Sequence, residues 1–160
     1  MLHALKSSGL AALAAMILAG VMLAAPPATA PARAQAADGY HRLVLYIADS
    51  DMAKMNGVLD VAANVSRHYS GMGEEVEIEV VAFGDGLHML RADTSPVKNR
   101  LTNFMQSMIN VTFNACGNTL DTMERNEGVR PPLIDGVGTV QTGVARLLEL
   151  SEEGWTLVQP

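Results

Sequence analysis

Two short runs of β-forming residues, His41–Ile47 (HRLVLYI) and Glu75–Phe83 (EVEIEVVAF), flank a stretch whose apolar residues recur at helical spacing. That alternation of strand and helix continues along the chain, and it is the feature that most limits the fold. The first run is nearly continuous and apolar, so it reads as a strand buried on both faces. Asp49-Ser50-Asp51 then offers N-caps for a helix carrying Met55, Val58, Leu59, Ala62 and Val65, ended by Gly71 and Gly73. In the second run Glu75, Glu77 and Glu79 alternate with Val76, Ile78 and Val80. Strict alternation predicts a strand with one solvated face at its start, near a sheet edge.

Gly84-Asp85-Gly86 reads as a turn and Leu87–Leu90 as a short helical piece. Thr94-Ser95-Pro96 has the form of a helix start, a hydroxyl cap followed by proline, ahead of an apolar stripe of Val97, Leu101, Phe104, Met105 and Met108. Asn110–Asn114 is predicted as a third strand, Ala115-Cys116-Gly117-Asn118 as the turn after it, and Thr119–Asn126 as a short helix. Pro131-Pro132 falls in a loop and Val137–Val140 reads as a weak fourth strand. Val144, Leu147 and Leu148 line a last helix closed by Gly154, and Trp155–Val158 is a final strand. The order is β-α-β-α-β-α-β-α-β, which argues for an α/β fold: a mostly parallel five-stranded sheet with helices on both faces. Ligands of such sheets bind beyond the carboxyl ends of the strands. Three post-strand loops are therefore candidates: Ala48–Asp51, Gly84–His88 and Ala115–Asn118.

The first 34 residues read as an export signal and not as part of the domain. Lys6 precedes a 17-residue apolar run, Gly9–Ala25, which Pro26, Pro27 and Pro31 terminate. That run is marginal for the ~20 residues a membrane helix needs. Small-x-small cleavage patterns follow at Ala28-Thr29-Ala30 and Ala32-Arg33-Ala34. Cleavage after Ala34 is favoured, because the earlier cut leaves Pro31 at the new N-terminus. Residues 35–160 then form a single 126-residue domain with 9 basic and 17 acidic side chains, net −8, and no further span. An acidic balance without a basic stripe argues against nucleic-acid binding. Signal style and composition suggest a bacterial periplasm, an oxidising compartment.

In that setting the single cysteine of the chain, Cys116, is the leading candidate for chemistry. It is predicted between a strand and a helix, where helix N-terminal amides favour the thiolate. Gly117 keeps the approach open and Asn118 offers an amide to a sulfur-bound group. Asp49 and His88, from the neighbouring loops, are possible rim residues. No C-x-x-C motif is present, so dithiol chemistry is excluded. A persulfide, a mixed disulfide with a partner, and metal ligation remain as options; the bland alternative is a buried structural cysteine. Met52/Met55 and Met105/Met108 are spaced three apart, a copper(I) pattern in an exported protein, but core packing explains them better. Gly84-x-Gly86 and Gly136-x-Gly138 lack the rest of a dinucleotide fingerprint and there is no phosphate loop, so no cofactor is implied.

The segments VVAFGDGLHMLRADTSPVKNRL (80–101) and VTFNACGNTL (111–120) resemble the DsrE/DsrF-like family of sulfur-relay proteins, and residues 42–65 and 143–160 fit the same pattern. The resemblance implies a three-layer α/β/α fold of the YchN type and assembly into homotrimers or hexamers. It also implies a cysteine, here Cys116, that accepts sulfane sulfur as a persulfide from a thiol-bearing donor and hands it to an acceptor. The expected function is thus an exported sulfur carrier or sulfurtransferase. The alternative is a non-catalytic binding or assembly module with Cys116 merely buried.

Overall fold

The computed structural model describes residues 39–160. The expected signal at 1–34 and its cleavage after Ala34 lie outside the described residues. Ten elements follow one another: β1 (Tyr40–Ile47), α1 (Met52–Met72), β2 (Glu75–Ala82), a 3-10 helix (Gly84–Leu90), α2 (Lys98–Ser107), β3 (Val111–Cys116), α3 (Gly117–Glu127), β4 (Gly138–Val140), α4 (Gly143–Glu152) and β5 (Thr156–Val158). The five strands form one sheet in the order β4-β3-β2-β1-β5, and every neighbouring pair is parallel. This is the expected three-layer α/β/α architecture. No helix among the described residues is long and apolar enough to cross a membrane.

Local chemistry sets most of the boundaries. Asp51 caps α1 by accepting from Ala53 N at 2.6 Å and Lys54 N at 3.3 Å. Gly73, in the left-handed region at φ 74°, ends α1, whereas Gly71 lies inside the helix. Thr94-Ser95-Pro96 does not start α2. Ser95 donates its hydroxyl to the Met89 carbonyl at 2.6 Å and accepts from Val97 N at 3.3 Å, so it closes a turn and the helix begins at Lys98. The Gly84–Gly86 turn is continuous with Leu87–Leu90 as a single 3-10 helix. Trp155 precedes β5 and is buried beside it.

The larger core lies between the sheet and α1, the 3-10 helix, α2 and α3. Leu45, Ile78, Val80 and Phe113 of the strands meet Met55, Leu59, Leu87, Leu101 and Leu120. Each such side chain, fully buried, contributes roughly 1.5–3 kcal/mol. Met55 belongs to this core and Met105 and Met108 pack against it, while Met52 is exposed. The second face is covered by α4 alone, through Val44, Val81, Leu147, Leu150 and Trp155.

Strand β2 is the middle strand and not an edge. Its glutamates differ along its length. Glu75 is exposed and Glu77 accepts from the Tyr40 hydroxyl at 2.7 Å, but Glu79 is only 4 % exposed. The expectation of a solvated face therefore fails at Glu79, where α4 lies over the sheet. Arg146 of α4 reaches its two carboxylate oxygens at 3.0 and 2.9 Å, and Asn114 of β3 adds a third bond at 2.9 Å. The third strand also runs two residues further than expected, because β4 pairs with it through Cys116↔Val140.

Candidate functional site

The helices after β1, β2 and β3 all pack on one face of the sheet, and the helix after β4 packs on the other. Strands β3 and β4 are neighbours whose following helices diverge to opposite faces. A crevice opens at the carboxyl edge between such strands. Cys116, the last residue of β3, stands at that point, paired with Val140, the last residue of β4. The N-termini of α3 and α4 both begin there.

Cys116 is 5 % exposed. It accepts a hydrogen bond from Gly143 N–H at 3.2 Å, in the first turn of α4. Cys116 is also the N-cap residue of α3, though the thiol makes no capping bond. A thiol is a weak acceptor and a thiolate a strong one, so donors around the sulfur act mainly on its ionised form. Burial pushes the Cys116 pKa up; the Thr119 hydroxyl and the amides of Gly143, Thr119 and Asn118 push it down, and together they win. The net direction is below the ordinary thiol value, without any cationic side chain supplying it. Helix N-terminal amides lower thiol pKa values in this way.

Two glycines permit this geometry. A Cβ at Gly143 would lie 3.1 Å from the Phe83 ring and 3.3 Å from the Cys116 Cβ, so only glycine brings the α4 amide onto the sulfur without displacing them. A Cβ at Gly117 would meet the carbonyls of Val140 and Gln141 at 3.3 Å. Gly117 is buried, and its role here is close packing of α3 against the β4–α4 loop. Asn118 is exposed and ties the two helix starts together. Its N–H donates to Gln141 O at 3.1 Å, its Nδ2 to Thr142 Oγ1 at 3.0 Å, and its Oδ1 accepts from Gln141 Nε2 at 3.1 Å.

The other two expected residues sit elsewhere. Asp49 accepts from Lys54 Nζ at 2.6 Å and Asp51 N at 3.2 Å, and the Lys54 bond holds its carboxyl below the usual range. His88 lies on the 3-10 helix, on the side of Glu127 at the C-terminal end of α3. That end is about 16 Å along the helix axis from Cys116. Neither Asp49 nor His88 hydrogen-bonds with Cys116, Gly117 or Asn118. Sequence reasoning missed Thr119, Gly143 and the β4–α4 loop. The signal was available: in an all-parallel sheet the loop after the fourth strand opens on the same edge as the other three.

No family model matches the chain, and no curated protein matches it significantly. Solved structures do. A protein of unknown function, MTH1491 from Methanobacterium thermoautotrophicum, is 33 % identical, with a TM-score of 0.59 over 75 % of this chain and 99 % of that one. The ychN protein from E. coli is 16 % identical, with a TM-score of 0.52 over 76 % of this chain and 99 % of its own, a likeness of fold. This chain therefore belongs to the family of MTH1491, built on the fold that ychN also has.

Proposed function

We propose that this protein is an exported sulfur carrier that holds sulfane sulfur on Cys116 and passes it to a partner thiol, in the manner of DsrE/DsrF-like proteins. The observation that carries the reading is the placement of one sulfur at the crevice between β3 and β4, at the start of α3, where it accepts the first amide of α4 and its ionisation is favoured. The likeness to ychN supports it at the level of fold. The reaction balances without an oxidant. The Cys116 thiolate attacks the outer sulfur of a donor persulfide, R–S–SH. The donor S–S bond breaks and leaves as R–S⁻, and Cys116 becomes Cys–S–SH. An acceptor thiolate then attacks that outer sulfur and regenerates the Cys116 thiolate.

In this reading the mature chain starts at Gln35 in a bacterial periplasm and assembles as a homotrimer or homohexamer. The exposed Val144 and Leu148 of α4 and Leu157 and Val158 of β5 support assembly, because they leave apolar surface on the thinly covered face.

The test is intact-mass measurement on protein incubated with a small persulfide donor and then with a reducing agent. Wild type should gain about 32 Da per chain (one sulfur atom) and lose it on reduction, and Cys116→Ser should gain nothing, because a hydroxyl stays protonated at neutral pH. Wild type that never gains the sulfur, together with a Cys116→Ser variant destabilised by 1–3 kcal/mol or so, would instead identify a structural cysteine.

A further inference from the structure

A cavity of about 370 Å³, within the range of small-molecule sites, lies where α4 crosses β3 and β4. Asn114 and Val140 line it from the strands, and Thr142, Arg146 and Glu149 from α4 and the residue before it. A Cβ at Gly138 would run into the Asn114 amide, so glycine at that position leaves the amide its room. Three of the lining residues are immediate neighbours of Cys116. Asn114 stands two residues before it, on the same face of β3. Val140 is its register partner on β4, and Thr142 precedes Gly143, whose N–H reaches the sulfur. The cavity therefore adjoins the buried thiol, although Cys116 does not itself line it.

Arg146 gives the cavity its chemistry. A guanidinium has five N–H donors. Nε and one N–H of Nη2 go to the two oxygens of Glu79, at 3.0 and 2.9 Å, and one N–H of Nη1 goes to Glu149 at 3.4 Å. One N–H on each Nη is left over, and together they form an end-on fork that matches a second carboxylate. Glu79, buried and held in turn by Asn114 Nδ2, fixes the guanidinium plane and so the direction of that fork. Glu149 is 60 % exposed, and an ion pair of that kind contributes little, so it exchanges readily for a ligand.

Charge selects the kind of ligand. Arg146 is the one cation lining the cavity, and Glu79 already neutralises it. A simple anion would meet the Glu149 carboxylate with no net attraction to offset it. A zwitterion brings its own cation. Arg146 Nη1 and Glu149 Oε2 lie 3.4 Å apart on one face of α4, a spacing that suits a carboxylate and an ammonium borne on the same carbon atom.

We propose that this cavity binds the α-amino acid end of a small persulfide, with the carboxylate on the Arg146 fork and the ammonium on Glu149, so that the sulfur donor is an amino acid persulfide such as that of cysteine. This names the substrate class of the sulfur-carrier reading and rests on that reading for the sulfur step. The step is the attack of the Cys116 thiolate on the outer sulfur of R–S–SH, with cysteine thiolate leaving as R–S⁻.

The experiment times sulfur loading by intact mass with three donors: the persulfides of cysteine, of N-acetylcysteine, which lacks the ammonium, and of cysteamine, which lacks the carboxylate. Each rate is divided by the rate of the same donor with a small free thiol. Cysteine persulfide should load wild type roughly fivefold faster than the N-acetyl donor and roughly tenfold faster than the cysteamine donor, the sizes of an exposed ion pair and of a forked charge-assisted bond. Glu149→Gln should erase the first preference and keep the second. Equal normalised rates in wild type overturn the proposal, and so do unchanged preferences in Glu149→Gln. If that variant loses the wild-type circular dichroism, Ala145→Leu replaces it: it fills the cavity, keeps both charges and should erase both preferences, and preferences that survive it overturn the proposal. L-serine, with the same two charged ends and no sulfur, should bind wild type in calorimetry and bind Glu149→Gln more weakly. Serine binding without loading from any donor overturns the carrier function and leaves the amino acid site standing; loading at equal rates without serine binding does the reverse.

Discussion

Replacing Arg146 with methionine tests what the buried carboxylate of Glu79 requires. Methionine keeps much of the side-chain stem, so the change removes charge and hydrogen bonds with little cavity. In wild type the Glu79 side chain is 6 % exposed and that of Arg146 28 % exposed. The loss is therefore asymmetric. Without Arg146, Glu79 keeps only the Asn114 bond at 2.9 Å, and a charge inside the fold is left uncompensated. Breaking a buried pair in this way costs about 3–5 kcal/mol, and partial exposure of the arginine places this one near the lower end, about 3 kcal/mol. For a domain of this size that is a fall of roughly 10 °C in melting temperature. Glu79→Gln removes the other partner instead. Arg146 can then turn to water and to Glu149, already 3.4 Å away, and the amide still accepts a bond, so the expected cost is about 1 kcal/mol. Urea denaturation of both single variants and of the double variant measures the asymmetry and the coupling between the two sites. Arg146→Met costing no more than Glu79→Gln would refute the reasoning.

Gly86→Ala should destabilise the domain by about 2–3 kcal/mol, because the new methyl group meets the backbone of Ile47 and Ala48 and no rotamer relieves it; a loss under ~0.5 kcal/mol in the same denaturation assay would show that the 3-10 turn is not seated as described. Arg91, only 5 % exposed in its side chain, is held by Asp93 and Glu127, and it holds the Asp93 carboxyl down at about 2. A carboxyl whose folded pKa lies below its unfolded value of about 3.9 stabilises fully above that value and stops doing so as pH falls through the folded pKa. Asp93→Asn should therefore melt below wild type at neutral pH, with the difference closing between about pH 4 and pH 2 in parallel thermal melts; a difference that stays constant with pH would assign its effect to something other than charge.

The sequence carried much of this fold because its main signals are local. The apolar run 41–47, the helical spacing from Met55 to Val65 and the Asp51 cap are each read within a few residues, and each lies where the pattern put it. What the pattern missed depends on partners far along the chain. Glu79 follows the same alternation as Glu75 and Glu77 but is buried by Arg146, 67 residues away. The last two residues of β3 become strand only through pairing with β4. At the candidate site, Cys116, Gly117 and Asn118 were legible as a strand-to-helix junction. The α4 amide that reaches the sulfur was not, because it enters from 27 residues downstream. Ser95-Pro96 has the composition of a helix start, yet the Met89 carbonyl competes for its hydroxyl.

The connection from β4 to β5 carries the chain from one edge of the sheet to the other, since β5 pairs with β1 at Leu43↔Thr156. Strands β1 to β4 assemble stepwise, each beside its predecessor, whereas α4 and β5 can dock only on a platform that already exists. Closing so long a loop for a three-residue strand returns little free energy per residue ordered. The segment from Gly143 to Val158 is thus the natural last unit to fold and the first to open, at a free energy below that of global unfolding. Its first amide is the one that covers the Cys116 sulfur, and the chain's single tryptophan, Trp155, is part of it, buried against Val44 and Val81 of the sheet. Opening of this segment would uncover the sulfur and, in the same event, change the surroundings of the one indole, so tryptophan fluorescence should follow access to the thiol.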